Sequence, residues 1–301
     1  MQKLKKIDIH VHSMPERFLL NPDGGYATPE EIRKIYDQFG IEAGVLLPEG
    51  AHPEYSYDTV SQREACAMVR QHPETFVGWF CNINPLMGQN AVDTDLSYYL
   101  EQFKAKGAKG IGEVTMNRPF DDPFVMNLFT HADNSRLPLT FHIGAPGGHD
   151  YGLIDEIGLP RLEKVLQQFP RLQFLGHSQK FWAEIGGGLT EQERDGYPEG
   201  RVLPGGRVPE LMRRYPNLCG DLSAGSGCNA LMRDPEFAAE FLEEFQDRLY
   251  FGTDICNPTN IDDPMMRLSG FLDQLAEEGK ISYAAYEKVS RKNALSLLGK
   301  A

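Results

Sequence analysis

The chain has 301 residues, 41% of them hydrophobic, with 43 Asp and Glu against 30 Lys and Arg and a formal net charge of -13 at pH 7. Such an acidic balance repels nucleic acid and anionic lipid surfaces, which leaves a small molecule as the expected partner. No apolar run approaches the ~20 residues that cross a bilayer.

The cysteines (Cys66, Cys81, Cys219, Cys228, Cys256) are odd in number and scattered without a CxxC. They read as reduced thiols of a cytoplasmic protein. The basic start, Met1 to Lys6, runs into Ile7-Asp8-Ile9-His10 instead of an apolar leader core, so no secretory signal is expected.

In chain order, eight short apolar or β-branched runs predict strands: Ile7–His12, Ala43–Pro48, Phe76–Ile83, Ala108–Val114, Pro138–Ile143, Leu172–His177, Leu218–Leu222 and Leu249–Asp254. Helical patterns lie between them at Pro29–Phe39, after a Thr28 cap, and at Tyr57–Gln71, Asp93–Lys106, Pro123–Asn134, Gly158–Phe169, Gly206–Tyr215 and Pro235–Phe245. Strands alternating with helices imply parallel pairing with crossovers, and eight such units predict a (β/α)8 TIM barrel. A doubly wound open sheet is the alternative, but no GxGxxG follows the first strand. With no repeat or linker, residues 1–301 read as a single domain.

A helix over Tyr283–Ser290 and the apolar tail behind it are expected to close the bottom or side of the barrel. Long loops follow strand one (Ser13–Ala27) and strand six (Ala183–Gly205); the second carries Gly186-Gly187-Gly188 and many charges, as a lid would.

In Asp8-Ile9-His10-Val11-His12 two histidines stand at i and i+2, so on a strand both rings point to one side, as a pair of metal ligands would. Alone, the pair reads more readily as two solvent-facing rings. The other strand ends change that. Strand four ends at Glu113, strand five at His142, strand six at His177, strand seven at Asp221 and strand eight at Asp254. A lone Asp there is usually a cap and a lone His a core residue. Converging on one barrel mouth, where such barrels do their chemistry, they predict a site.

HxH on strand one, His on strands five and six, and Asp on strand eight resemble the amidohydrolase superfamily. The chain is most similar to the amidohydrolase-related branch that includes aminocarboxymuconate-semialdehyde decarboxylase and several lactone hydrolases. Gly252-Thr253-Asp254 and the closing Asn293-Ala294…Leu297-Leu298 belong to the resemblance, which covers essentially the whole chain.

The resemblance implies one divalent metal on His10, His12, His142 and Asp254, with His177 as a catalytic or ligand-orienting histidine. Zn suits such a set most directly, with Mn, Fe, Co or Ni as alternatives. The metal would activate water and polarise the substrate oxygen, with Asp254 as general base. Binuclear relatives carry a carbamylated lysine at the end of strand four, and some carry glutamate there. Here the nearest lysine, Lys109, lies toward the wrong end of the barrel, so Glu113 would either take a second metal with His142 and His177 or orient a ligand or substrate, as His177 could.

His149, like His52, follows a strand at the catalytic face and is a candidate for the pocket lining. Arg118, Lys180 and Trp182 are candidate contacts for a substrate carboxylate, with Arg207 and Arg233 weaker ones. Ser226 and Asn229 are read as part of a flexible loop at the same end.

The leading expectation is a metal-dependent hydrolase acting on an ester, lactone or amide of a small carboxylated molecule. The alternatives are a metal-dependent non-oxidative decarboxylase or hydratase, and a non-catalytic metal or small-molecule binding protein. Many such barrels form homodimers, but no surface stripe marks where.

Overall fold

All eight predicted runs form strands in the computed structural model, which describes residues 3–17, 25–48, 59–86, 90–145 and 150–300. They are β1 (Lys6–Val11), β2 (Ile41–Leu46), β3 (Phe76–Trp79), β4 (Ile111–Val114), β5 (Leu139–Gly144), β6 (Phe174–His177), β7 (Leu218–Asp221) and β8 (Leu249–Tyr250). Every neighbouring pair is parallel. A two-residue strand, Leu153–Ile154, adds beside β5.

The ladders run β1-β2-β3 and β4-β5-β6-β7-β8, and backbone hydrogen bonds join the two arcs at both seams. At one seam the Cys81 N–H donates to Gly110 at 2.9 Å and the Gly112 N–H to Cys81 at 2.8 Å. At the other, Ile9 donates to Phe251 at 2.9 Å, Asp254 to His10 at 2.8 Å and His12 to Ile255 at 2.8 Å. This is the barrel expected from the alternation of strands and helices.

Inside the ring, Ile7, Ile9, Val45, Leu175, Cys219 and Tyr250 form one buried cluster, and Ala294 and Leu298 from the chain's end pack into it. The tail therefore plugs the barrel bottom, as its apolar composition implied. It does so as a helix, Tyr283–Glu287, then a wider π turn, Lys288–Lys292, and a last helix, Asn293–Leu297. A larger apolar layer fills the space between strands and outer helices.

The helix Pro29–Phe39 shows why local sequence was readable. Glu31 accepts the Thr28 N–H at 3.0 Å, closing the helix start, and Gly40 ends it at φ 67°, a left-handed conformation that glycine adopts without a Cβ penalty.

Other segments depart from expectation. Ser226 and Asn229 lie on a helix, Ala224–Met232, instead of a flexible loop. A helix at Arg267–Glu277 was not anticipated. The second helix starts later, at Gln62, because the Ser61 hydroxyl caps it by accepting the Glu64 N–H at 3.2 Å.

The excursion after β6 is pinned down. Arg194, 3% exposed, donates to Glu184 at 2.7 Å and to the carbonyls of Asp155 and Glu156 at 2.9 and 3.2 Å. Part of the loop after β1 lies outside the described residues. None of the five cysteines is in a disulfide, and no helix among the described residues is long and apolar enough to cross a membrane.

Candidate metal centre

The register of β1 shifts between Asp8 and Val11, which breaks strict alternation. Ile7 and Ile9 belong to the inner apolar cluster and Val11 to the outer layer, while His10 and His12 both reach the polar centre at the top. On the other side of the ring, His142 and His177 are direct cross-strand partners in β5 and β6, so their side chains emerge side by side.

The hydrogen bonds behind the rings set their tautomers. The His12 Nδ1 lies 2.9 Å from the Leu47 carbonyl, which can only accept, so Nδ1 carries the proton and Nε2 is left with its lone pair. The His10 Nδ1 lies 2.7 Å from an Asp221 oxygen and likewise donates. The His177 Nδ1 lies 2.9 Å from the Ser223 hydroxyl. This is the arrangement by which outer partners orient metal-ligating imidazoles.

The inward nitrogens converge. The Nε2 atoms of His10 and His12 are 3.0 Å apart, and one Asp254 oxygen stands 3.2 Å from His12 and 3.6 Å from His10. Two groups of donor atoms lie within 4.8 Å of one another: His10, His12 and Asp254, and His10, Glu113 and His177. Glu113 divides its oxygens between the two sides. One lies 2.8 Å from the His142 Nδ1 and 3.5 Å from the His177 Nε2; the other faces the His10 Nε2 at 3.9 Å. His142 is in neither group and meets the centre through Glu113, with Tyr151 against its ring.

The electrostatics follow from burial against mutual attraction. Burial opposes charge on His10, yet Asp221, Asp254 and Glu113 outweigh it and lift its pKa to about 10. Burial also opposes ionisation of Glu113, but His142, His177 and His10 hold its carboxyl well below the usual range. Asp254 is lowered in the same way, against burial, by His10, His12 and His177. Burial depresses His177.

Asp254 is the most open member, its side chain 25% exposed where those of His10 and His177 are 0% and 2%. It holds φ 62°, a left-handed conformation rare for a residue with a Cβ, and its N–H is tied to the His10 carbonyl.

Three residues that hold this centre were not among the expected site residues. Asp8 is fully buried and accepts from the His10 N–H at 3.0 Å, the Thr253 N–H at 2.9 Å, the Thr253 hydroxyl, and the Tyr36 hydroxyl at 2.7 Å. A carboxylate two residues ahead of a histidine pair is the signal that was available. Tyr36 and Thr253 offer none. Asp221 and Ser223 lie directly behind His10 and His177.

Of the candidate substrate contacts, Trp182, Lys180 and Arg207 are committed to other partners. Trp182 is 1% exposed; its indole donates to the Asp221 carbonyl at 2.8 Å and its ring packs on Phe181 and Phe241 in the core. Lys180 is buried and ion-paired with Asp195. Arg207 pairs with Glu163 and Glu210. Arg118 is exposed, and its carbonyl accepts the Ile154 N–H at 2.9 Å. His149 and His52 lie outside the described residues.

Residues 7–300 match the family model described as Amidohydrolase. No curated protein sequence matches the chain. Among solved structures, a zinc-bound amidohydrolase from Burkholderia multivorans is 11% identical with a TM-score of 0.60, over 98% of this chain and 99% of that one. The 5-carboxyvanillate decarboxylase of Novosphingobium aromaticivorans, complexed with manganese and 4-hydroxy-3-methoxy-5-nitrobenzoic acid, is 14% identical with a TM-score of 0.60, over 98% of this chain and 96% of that one. A 2,6-dihydroxybenzoate decarboxylase complexed with 2,6-dihydroxybenzoate is 14% identical with a TM-score of 0.54, over 98% of this chain and 99% of that one. At these identities the likeness is one of fold.

Proposed function

Because the chain belongs to the amidohydrolase family, we propose that it is a metal-dependent hydrolase that opens an ester, lactone or amide bond in a small carboxylated molecule. The observation that carries this reading is the pair of Nε2 atoms of His10 and His12, 3.0 Å apart, with both Nδ1 atoms committed to acceptors behind them. Two lone pairs aimed at each other repel unless a cation lies between them, and Asp254 adds an anionic oxygen at the same point. The donor set fits a divalent metal of the zinc or manganese kind.

His10, His12 and Asp254 would hold one ion. Glu113 and His177 would take part in holding a second, with His142 fixing the Glu113 carboxylate from behind. His142, expected on the first ion, acts through Glu113 in this reading. A bound divalent ion polarises a carbonyl and lowers the pKa of water toward about 7.

The chain's own groups do the rest. Asp254, ionised and the most exposed of the cluster, takes a proton from the attacking water and returns it to the leaving group. His177, held neutral by burial and fixed by Ser223, orients the substrate oxygen. Asp221 keeps His10 in one tautomer.

Non-oxidative decarboxylation is the second reading, motivated by the decarboxylases among the structural relatives. Here Asp254 or His177 would deliver a proton to carbon. The deciding experiment loads the protein with Zn or Mn and screens lactones, esters and hydroxylated aromatic acids, scoring carboxylate formed against carbon dioxide released. Carboxylate without carbon dioxide supports hydrolysis; carbon dioxide from the acids, with no lactone or ester opened, replaces it with the lyase reading.

A further inference from the structure

At the end of the barrel opposite the histidines, where the strands begin, a cleft of about 570 Å3 opens. Its walls include Lys109, two residues before β4, Pro138, just before β5, and Gln173, just before β6; the helix Asn293–Leu297 closes one side. A second cleft of about 400 Å3 shares Arg136 and Gln173 with it, so the two lie side by side. The first alone is of a size that accommodates small ligands.

The charge of this cleft runs against that of the molecule. The chain carries -13, yet Lys104, Lys109 and Arg136 all line the cleft. The Lys104 ammonium caps a helix end by donating to the Ser135 carbonyl at 2.7 Å, with Glu101 loosely placed at 3.9 Å. Among the described residues, no carboxylate lies within ion-pair distance of Lys109 or Arg136. The acid in the lining, Asp247, is paired with Lys288 at 2.7 Å.

Arg136 sits at φ 54°, the left-handed residue that ends the helix Pro123–Ser135, which sets where its side chain leaves the backbone. Gln173 and Ser296 add uncharged hydrogen-bonding groups to the same walls. Like charges gathered around a concave surface, with the lining acid already paired to Lys288, repel one another, and an incoming anion relieves that repulsion while gaining charge-assisted hydrogen bonds.

We propose that this cleft binds a small, multiply charged anion, phosphorylated or polycarboxylate, through Lys109 and Arg136, at a site separate from the metal centre. The shared chemistry is two or more anionic oxygens spaced to meet an ammonium and a guanidinium. Lys109, at the wrong end of β4 to serve a metal, has a role here instead.

The test is calorimetric titration of the full chain, stripped of metal with chelator and then dialysed, with inorganic phosphate and separately with citrate. Saturable one-site binding is expected, weakening as sodium chloride rises. In Lys109→Gln/Arg136→Gln the affinity should fall about tenfold or more. Neither side chain is in the core, so an unchanged melting temperature will show that the variant is folded. Tighter binding of phosphate identifies a phosphorylated ligand, and tighter binding of citrate a polycarboxylate one. Equal affinity in the variant and the parent protein, or no saturable binding of either probe up to about 10 mM, overturns the site.

Discussion

The Asp8 carboxylate accepts both the backbone N–H and the hydroxyl of Thr253, the first at 2.9 Å, and so joins the first barrel strand to the last. The same carboxylate accepts the His10 N–H. One buried group therefore sets the spacing between the histidine pair and Asp254, which come from sequence positions more than two hundred residues apart.

Replacing Asp8 tests that role. Asp8→Asn removes one acceptor oxygen and leaves buried donors unpaired, for a loss of about 2–4 kcal/mol in urea unfolding. Tyr36→Phe removes a single hydrogen bond to the same carboxylate and should cost about 1–2 kcal/mol. Metal content by elemental analysis should fall in Asp8→Asn and stay near the parent level in Tyr36→Phe. Equal stability of Asp8→Asn and the parent would reject the hub.

Metal loading should release a proton. His10 has a pKa raised to about 10, because its three carboxylate neighbours outweigh the burial that opposes its charge. At pH 7 the metal-free ring is therefore protonated, and a cation must displace that proton. Calorimetry with zinc in buffers of different ionisation enthalpy should find about one proton released per first ion bound. Affinity should rise with pH across the neutral range, and loading that takes up or releases no proton contradicts the assignment.

Asp254→Asn should leave the unfolding transition nearly unchanged while lowering turnover by about two to four orders of magnitude, since the amide cannot shuttle a proton. Turnover is to be followed on whichever lactone or ester the screen identifies. Activity retained within tenfold would move the general base elsewhere.

The anchor beneath the excursion after β6 should give the fold a pH dependence of its own. Burial lifts the Asp155 carboxyl to about 6 from an ordinary 3.8, against three backbone N–H donors. The raised folded-state value means that this contribution to stability is fully present below pH 4 and is lost as pH rises through about 6. The change should be on the order of 2 kcal/mol. Asp155→Asn should flatten that slope in urea melts at pH 4, 5, 6 and 7; an unaltered slope assigns the dependence to another group.

Trp182→Phe should destabilise the protein by about 1–2 kcal/mol, through the lost indole hydrogen bond and packing, without changing KM. A raised KM at unchanged stability would restore its expected place against substrate.

The barrel was legible because most of its strands are short runs with both faces largely buried, which read as apolar stretches between polar loops. The helix starting at Pro29 was legible because its cap, proline and closing glycine are all local. Ala224–Met232 was not legible: two glycines and two polar residues read as a loop, and only packing against neighbouring helices makes it helical. Trp182 and Lys180 looked like substrate contacts because they follow His177, yet their helix turns the indole into the core and gives the ammonium a carboxylate partner.

By itself the sequence determined that His10, His12, Glu113, His142, His177 and Asp254 leave the same end of one barrel, since strand alternation and parallel crossovers are properties of the chain read locally. The tertiary structure decided how they divide. It put Glu113 between the His10 side and the His142 and His177 side, and it gave His10 to Asp221, His12 to the Leu47 carbonyl and His177 to Ser223. Those partners come from different strands, and only closing the ring brings a carbonyl on one strand against an imidazole on the next. Tautomer, charge and ligand grouping therefore belong to the closed barrel and to no single segment of it.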